Sequence, residues 1–244
     1  MTMRESLIGR TLGRVVCVGI ALGMFSLVLV QEARAQTPRK TWRLDDHKKT
    51  LSPGKAFGKW DMEKIAPVFG SGEQTFFQFV HDGEDKHYIH LKSGKNNSFS
   101  VGLGEKFEVK DWPELEWEWR VTVLPTGGDV RVKERDDQAG SICLIVNPGL
   151  FGFKSMCYLW ENGGPKDKPL VSTKREDSRY LILRSKAEDG AGEWKKEKRN
   201  ILADFKRVFG KDPDDTAIIG MQIDSDSTTS AGEVFYRNIV LHGP

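Results

Sequence analysis

Cysteine is scarce in this sequence, and neither sign of charge is in clear excess. Three cysteines in 244 residues exclude a disulfide-rich scaffold, so an ordinary hydrophobic core must stabilise the fold. The chain has 37 Lys and Arg against 35 Asp and Glu, and residues 1–35 hold four Arg and two Glu, which leaves 33 residues of each sign in the remainder. A neutral chain lacks the basic stripe that nucleic acid requires, and we expect no nucleic-acid partner.

Catalytic and cofactor motifs are also missing. No glycine-rich phosphate loop follows a predicted strand, and no Gly-x-Ser-x-Gly nucleophile elbow occurs. No Cys and His pair has the spacing of a known nucleophile and base. The sequence therefore predicts no cofactor and favours a non-catalytic protein.

One long apolar run is present, at the beginning of the chain. Val15 to Val30 follows three arginines and precedes the small-residue site Ala33-Arg34-Ala35. This arrangement is typical of a cleavable signal peptide over residues 1–35, with Gln36 as the new N-terminus. Sixteen apolar residues are fewer than the ~20 that a membrane-spanning helix needs, so we expect no permanent membrane anchor after cleavage. The predicted location is periplasmic or secreted.

The rest of the chain is predicted to form a polar N-terminal segment over residues 36–55, called the polar lead, and a single domain over residues 56–244. Short runs of β-branched and aromatic residues alternate with turns rich in Gly, Asn, Asp and Pro. This pattern predicts an all-β, mainly antiparallel, jelly-roll-like sandwich. The predicted strands are 75–80, 88–91, 98–103, 115–124, 141–146, 155–160, 179–184, 217–223 and 234–241.

The clearest predicted strand begins at Leu115. Apolar side chains occupy every second position through Val123, including Trp117 and Trp119, so one face of the strand is dry. We expect both tryptophans in the core. A sugar-stacking platform is the alternative, and it requires solvent-exposed rings.

The polar face of the same strand carries Glu114, Glu116 and Glu118. Carboxylates at alternate positions lie roughly 6.5–7 Å apart and resemble the acidic row of some jelly-roll glycoside hydrolases. A solvated strand face explains the same pattern without any function. The glutamates are thus the basis of an enzyme alternative.

A single short amphipathic helix is predicted after Asn200. Apolar residues recur at helical spacing up to Phe209, Asn200 is a suitable N-cap, and Gly210 is a suitable stop. Arg199 lies just before this helix, and Asp204 lies in its second turn. Arg199 could pair bidentately with a carboxylate, either in a ligand site or as a structural clamp between helix and sheet.

Acidic residues also border two predicted strands. Asp136 and Asp137 precede one strand, and Asp224 and Asp226 follow another, in an Asp-x-Asp-x-Thr turn ending at Thr228. Alternating acidic and hydroxyl side chains are oxygen ligands for a hard cation. A structural calcium ion at Asp224 and Asp226, a ligand loop, and an ordinary polar turn all fit this pattern.

Cys143 and Cys157 lie at equal distances from Leu150, in two predicted strands that flank a short connection. A symmetric hairpin about Leu150 places them directly opposite each other, with Cβ atoms about 4.5–5.5 Å apart. The oxidising compartment favours a disulfide between them. Two buried thiols packing as small hydrophobes are the alternative.

Several of these segments together resemble an uncharacterised bacterial exported family, the domain of unknown function 3047. The resemblance spans residues 57–241, and its Trp, Arg, Asp and Phe-Gly stretch is the most specific part. It implies a β-sandwich similar to carbohydrate-binding jelly rolls, and it supplies no activity. The matching positions are Pro113, Leu115, Trp117, Trp119, Arg120, Val121, Asp136, Asp137, Tyr158, Trp160, Trp194, Glu197, Arg199, Asp204, Phe209, Gly210, Asp224, Asp226 and Thr228.

Three functional hypotheses follow. The first is an exported, non-catalytic binding protein for a carbohydrate-like envelope or extracellular ligand. The second is a polysaccharide-cleaving enzyme, hydrolase or lyase-like, that uses strand or loop carboxylates. The third is a structural envelope protein without a small ligand. The candidate ligand-binding residues are Asp136, Asp137, Trp160, Arg199, Asp204, Asp224 and Asp226.

Overall fold

The structure, a computed structural model, describes residues 39–55, 58–61, 75–83, 87–95, 97–147 and 152–244. The predicted signal peptide, Gln36 and the hairpin centre at Leu150 lie outside these residues. The described residues from 39 to 244 belong to one compact unit. Among the described residues, no helix combines the length and apolarity needed to cross a bilayer.

Alternating apolar residues give most of the longer strands a buried inward face, and the two resulting sheets pack on each other through those faces. Within the described residues, one sheet has six strands and the other has seven. The six-stranded sheet contains β1 (Thr41–Arg43), β3 (Phe76–His81), β4 (His87–Ser93), β6 (Glu114–Val123), β11 (Lys195–Asn200) and β13 (Gly232–His242). The seven-stranded sheet contains β2 (Trp60–Asp61), β5 (Ser98–Leu103), β7 (Gln138–Val146), β8 (Lys154–Glu161), β9 (Pro169–Val171), β10 (Ser178–Ser185) and β12 (Ala217–Asp224).

The six-stranded sheet runs in the order β11-β6-β13-β4-β3, with β1 added along β13, and the other runs β2-β5-β12-β7-β8-β10-β9. The predicted all-β jelly-roll-like sandwich is confirmed. Pairing is antiparallel throughout the named strands except between β8 and β10, which run parallel. Two short α-helices accompany the sheets in the part of the chain that the structure describes, α1 (Lys186–Asp189) and α2 (Ile201–Phe209).

Aromatic side chains fill the space between the sheets. Trp117 and Trp119 on β6 have no solvent-exposed surface, as expected from the alternation. Their rings lie 5.3 Å from Tyr158 and 5.5 Å from Trp160, both on β8, measured between ring centres. These contacts join the two sheets through large apolar surfaces.

Helix α2 begins and ends where the sequence predicts. The Asn200 side chain accepts a hydrogen bond of 2.8 Å from the backbone N–H of Ala203, which caps the first turn. Gly210 adopts a φ of 74°, the left-handed conformation that closes a helix. Ile201 and Phe205 are fully buried, so the apolar side of α2 docks on the body of the protein.

The polar lead is joined to the sandwich. Strand β1 pairs with the end of β13, and Asp45 and His47 behind it are buried. The two ring nitrogens of His47 lie 2.9 and 2.8 Å from the backbone carbonyl oxygens of Asp45 and Val80. Residues 39–55 are therefore part of the folded body.

Candidate functional site

The outer face of the seven-stranded sheet, which points away from the six-stranded sheet, carries a hollow at its centre. Gly220, Cys143, Cys157 and Tyr180 are cross-strand neighbours in one row over β12, β7, β8 and β10. Three of these residues have small side chains, so the outer surface of the sheet is recessed at this point. The larger Tyr180 rises at the end of the row and forms a wall.

The floor of the hollow is a disulfide. The structure has the hairpin register expected from the sequence, with Cys143 opposite Cys157. Their sulfur atoms are 2.08 Å apart and their Cα atoms 4.0 Å apart. A covalent link between the two central strands gives the hollow a rigid, apolar base.

The hollow forms a pocket of about 160 Å³. This volume is close to the ~150 Å³ of a cavity that holds a benzene-sized ring. Apolar groups lie at its base, and hydroxyl, amide, carboxyl and cationic groups surround them. The polar side chains that line it are Ser100, Asp136, Ser155, Ser172, Lys174, Arg175, Ser178, Tyr180, Gln222 and Asp224.

Four predicted ligand residues come together at one end of this face. Asp136 and Asp137 precede β7, whereas Asp224 ends β12 and Asp226 follows it. Because β7 and β12 are antiparallel, the start of one strand lies beside the end of the other, and Gln138 pairs with Asp224. The sheet topology thus assembles acidic residues that are about ninety positions apart in the sequence.

Asp137 has a structural contribution within this group. Its carboxylate accepts hydrogen bonds from the backbone N–H groups of Ser227 and Thr228, at 2.9 and 2.7 Å. The Thr228 hydroxyl donates a third, at 2.5 Å. Asp137 therefore holds the turn after β12 in place.

Lys174 supplies positive charge to the other three aspartates. Its ammonium group lies 3.3 Å from Asp226 Oδ1 and 3.9 Å from Asp224 Oδ2. It also donates hydrogen bonds to the Ser227 hydroxyl, at 3.1 Å, and to the Asp136 backbone oxygen, at 3.4 Å. These contacts draw the lysine over the acidic end of the pocket.

Burial changes the protonation of the two aspartates that line the pocket. Burial raises the pKa of Asp136 to about 6, although nearby Lys174 opposes the shift. Burial likewise raises the pKa of Asp224 to about 8, again against the effect of Lys174. At neutral pH the Asp224 carboxyl is therefore mainly protonated and can donate a hydrogen bond, whereas Asp136 is mainly ionised.

Asp136 also has an unused acceptor. The Thr173 hydroxyl donates to its Oδ2 at 3.2 Å, but Oδ1 is buried and has no hydrogen-bond partner among the described residues. A buried carboxylate oxygen without a partner costs about 1–3 kcal/mol or more.

The predicted calcium site coincides with this acidic group. Asp137, Asp224 and Asp226 each place a carboxylate oxygen within 4.8 Å of the others. Calcium takes six to eight oxygen ligands, whereas Asp137 already accepts three hydrogen bonds and Asp226 lies beside the Lys174 ammonium. Asp224 and Asp226 would hold the ion only if Lys174 moved away. Structural calcium stays a prediction.

Arg199 and Asp204 lie outside the pocket. Arg199 donates two hydrogen bonds to the Asp204 carboxylate, from Nε at 2.8 Å and Nη2 at 3.0 Å. The buried Tyr158 hydroxyl donates to the same carboxylate at 2.8 Å. The bidentate pair therefore fastens α2 to strands β8 and β11, which is the geometry of a structural clamp.

Trp160 requires a correction. Its ring has no exposed surface and packs against Trp119 between the sheets, so it cannot contact a ligand on either outer face. Tyr158 and Trp160 both point inward because they share the parity of the buried Met156 on β8. The assignment of Trp160 as a ligand-binding residue is wrong for this reason.

The glutamates of β6 occupy the outer face of the other sheet, and each is neutralised by nearby basic side chains. This arrangement fits a solvated strand face. The pairs are Glu114 with Arg39 and Lys198, Glu116 with Lys196, and Glu118 with Arg237.

Several residues of the pocket carried no signal in the sequence. Lys174 and Arg175 belong to the connection between β9 and β10, and short connections of this kind seldom have a recognisable motif. Ser100 and Gln222 reach the pocket only because β5 and β12 pair in register. For Tyr180, the sequence offered one indication: it alternates with Leu181, which faces inward, so Tyr180 faces outward.

These features define a β-sandwich protein with a small, polar-walled pocket on the outer face of one sheet. Residues 59–240 match the family described as "Protein of unknown function (DUF3047)", and the chain belongs to that family. No curated protein is significantly similar to the chain.

Solved structures of similar fold include carbohydrate-active proteins. A thermostable cellulase derived from one of Rhodothermus marinus is 11% identical, with a TM-score of 0.44, over 83% of this chain and all of the cellulase chain. A family 11 carbohydrate-binding module from Clostridium thermocellum, in complex with a mixed-linked tetrasaccharide, is 13% identical, with a TM-score of 0.38, over 80% of this chain and 95% of the module. The exolytic alginate lyase of Zobellia galactanivorans is 12% identical, with a TM-score of 0.36, over 72% and 90%.

Proposed function

We propose that this protein is an exported binding protein, periplasmic or secreted, that holds a carbohydrate in the pocket on the outer face of the seven-stranded sheet. The observation that carries the proposal is the buried Asp136 carboxyl in a pocket that combines hydroxyl, amide, carboxyl and cationic side chains over an apolar base. Such a pocket favours a ligand with several hydroxyl groups.

Sugar hydroxyls can pair with both the hydrogen-bond acceptors and the hydrogen-bond donors around the pocket. A hydroxyl can donate to the Asp136 carboxylate and can accept from the protonated Asp224 carboxyl or the Gln222 amide. Hydrogen bonds to a charged acceptor are roughly twice as strong as those between neutral groups. Asp136 would therefore contribute most to the affinity.

The base of the pocket suits the apolar face of a sugar ring. Cys143 and Cys157 present sulfur atoms without donors, and Tyr180 and Phe153 add aromatic carbon at the sides. Ligand sites commonly combine such an apolar floor with a few well-placed polar groups. The small volume favours recognition of a single ring, such as one unit of a longer chain.

The direct test is a glycan array probed with the purified mature protein, beside a reducing-sugar release assay on the glycans that bind. We expect retention of a defined set of glycans without release of sugar. Absence of binding to any glycan would overturn the proposal.

A second candidate function is polysaccharide cleavage. It is favoured by one observation, that Asp136 and Asp224 line the same pocket with pKa values of about 6 and 8. Two carboxyl groups with separated pKa values are typical of an acid and base pair. Release of reducing sugar by the wild type, lost in Asp224→Asn, would establish this function in place of binding alone.

A further inference from the structure

Arg175 is a cation at the edge of the pocket. It follows Lys174 in the connection between β9 and β10 and lines the pocket. Among the described residues, no carboxylate forms a salt bridge with Arg175, whereas the neighbouring Lys174 reaches both Asp224 and Asp226. The charge of Arg175 is thus not neutralised within the site.

The guanidinium group is nevertheless held in position. Its central carbon lies 4.0 Å from the centre of the Phe153 ring, a stacking contact. The Arg175 backbone N–H donates a hydrogen bond of 3.2 Å to the Ser172 hydroxyl, which ties the connection to the pocket wall. Stacking engages the flat face of the guanidinium and leaves the N–H groups along its edge available.

A guanidinium edge is complementary to a planar or tetrahedral oxyanion. Arginine binds carboxylate, sulfate and phosphate groups with two parallel hydrogen bonds, which a hydroxyl group cannot match. The acidic residues of the pocket do not compete for Arg175, because Lys174 lies over their end of the site. The structure therefore offers an anion contact beside a hydroxyl-binding pocket.

We infer that the ligand is an acidic saccharide whose carboxylate or sulfate group pairs with Arg175. This inference rests on the proposed carbohydrate binding and narrows its ligand class. The sugar ring would lie over the disulfide, with a hydroxyl directed to Asp136 and its anionic substituent directed to Arg175.

The test compares three tetrasaccharides by isothermal titration calorimetry with the wild-type protein: a neutral one, a uronic-acid one and a sulfated one. We expect the preferred acidic tetrasaccharide to bind at least about tenfold more tightly than the neutral one. Arg175→Gln should remove this preference, and Arg175→Lys should restore part of it. The matched control is Arg179→Gln, because Arg179 stacks on Phe209 at 5.0 Å but does not line the pocket.

The outcomes separate the two proposals. If neutral and acidic tetrasaccharides bind equally, or if Arg175→Gln leaves the preference unchanged, the inference about the acidic group is wrong and carbohydrate binding stands. If no tetrasaccharide and no glycan on the array binds, the proposed function itself fails. A preference for the uronic-acid or for the sulfated tetrasaccharide identifies which anionic group Arg175 recognises.

Discussion

Asp224 is a carboxyl group that the fold withdraws from water at the end of β12. Its pKa of about 8 in the folded protein compares with about 4 in an unfolded chain. Between these values the folded state retains a proton that the unfolded state releases. Folding stability should therefore fall as the pH rises from about 4 to about 8.

Replacement of Asp224 by Asn removes this ionisation but keeps the size and the hydrogen-bonding oxygen. We expect Asp224→Asn to gain stability relative to the wild type as the pH rises, by on the order of 4 kcal/mol between about pH 5 and pH 9. Urea unfolding of both proteins at the two pH values measures the difference. A constant difference between the two proteins across this range would show that Asp224 titrates normally.

Arg199 is a charged residue that we expect to stabilise the fold rather than to bind a ligand. Its removal leaves the buried Asp204 carboxylate with only the more exposed Arg207 as a cationic partner, so Arg199→Ala should reduce the free energy of unfolding by about 2–3 kcal/mol. Saccharide affinity should not change, because Arg199 does not line the pocket. The control is Lys198→Ala, since the exposed pair of Lys198 with Glu114 contributes less than about 1 kcal/mol.

Thermal unfolding and calorimetric titration of both variants check this prediction. A loss of saccharide affinity in Arg199→Ala at an unchanged melting temperature would assign Arg199 to a binding site instead. An equal loss of stability in Lys198→Ala would mean that the bidentate geometry has no particular importance.

At the scale of elements, the disulfide between β7 and β8 both forms the pocket floor and links the two strands covalently. The cysteines are 14 residues apart, and closing a loop of about 15 residues stabilises a fold by about 3 kcal/mol in the chain-entropy model. We expect the double variant Cys143→Ser, Cys157→Ser to lose about 2–3 kcal/mol of stability. Its saccharide affinity should also fall, because two polar hydroxyls would replace the apolar base.

Mass spectrometry of the unreduced, alkylated protein tests the bond itself. The expected product is a single peptide pair linked through Cys143 and Cys157. Two alkylated cysteines would show that the thiols are free. A double variant as stable as the wild type would show that the link contributes nothing to folding.

The sequence predicted those strands and helices whose own residues form a recognisable pattern. Alternation identified β6, and the Asn200 and Gly210 caps placed α2 within a residue of its observed ends. Strand β11 was missed because Lys195–Asn200 is almost wholly charged or polar and is stabilised by cross-strand partners on β6. The parallel pairing of β8 with β10 was missed because parallel and antiparallel strands have the same local composition.

At the scale of the whole molecule, the sandwich was predictable and the pocket was not. Asp136 and Asp224 were identified as candidates from their positions beside strands, and antiparallel pairing brings them together. The hollow between them depends on small residues such as Gly220 meeting across four strands, and a register of this kind has no local signature. That Arg175 has no salt-bridge partner among the described residues became apparent only from the structure.

The central claim is that one face of one sheet binds saccharide. The measurement that tests it most directly is isothermal titration of the tightest-binding glycan from the array into the wild type, Asp136→Ala and Glu116→Gln. Asp136 lines the pocket, whereas Glu116 lies on the outer face of the other sheet beside Lys196. Melting temperatures establish that Asp136→Ala and Glu116→Gln are folded. Asp136→Asn is a milder change at the same position and is measured beside them.

We predict that Asp136→Ala weakens binding by at least about tenfold, because a charged acceptor for sugar hydroxyls is lost. Glu116→Gln should bind as the wild type does. Unchanged affinity in a folded Asp136→Ala protein, or a loss confined to Glu116→Gln, would contradict the assignment of the ligand site to the seven-stranded sheet.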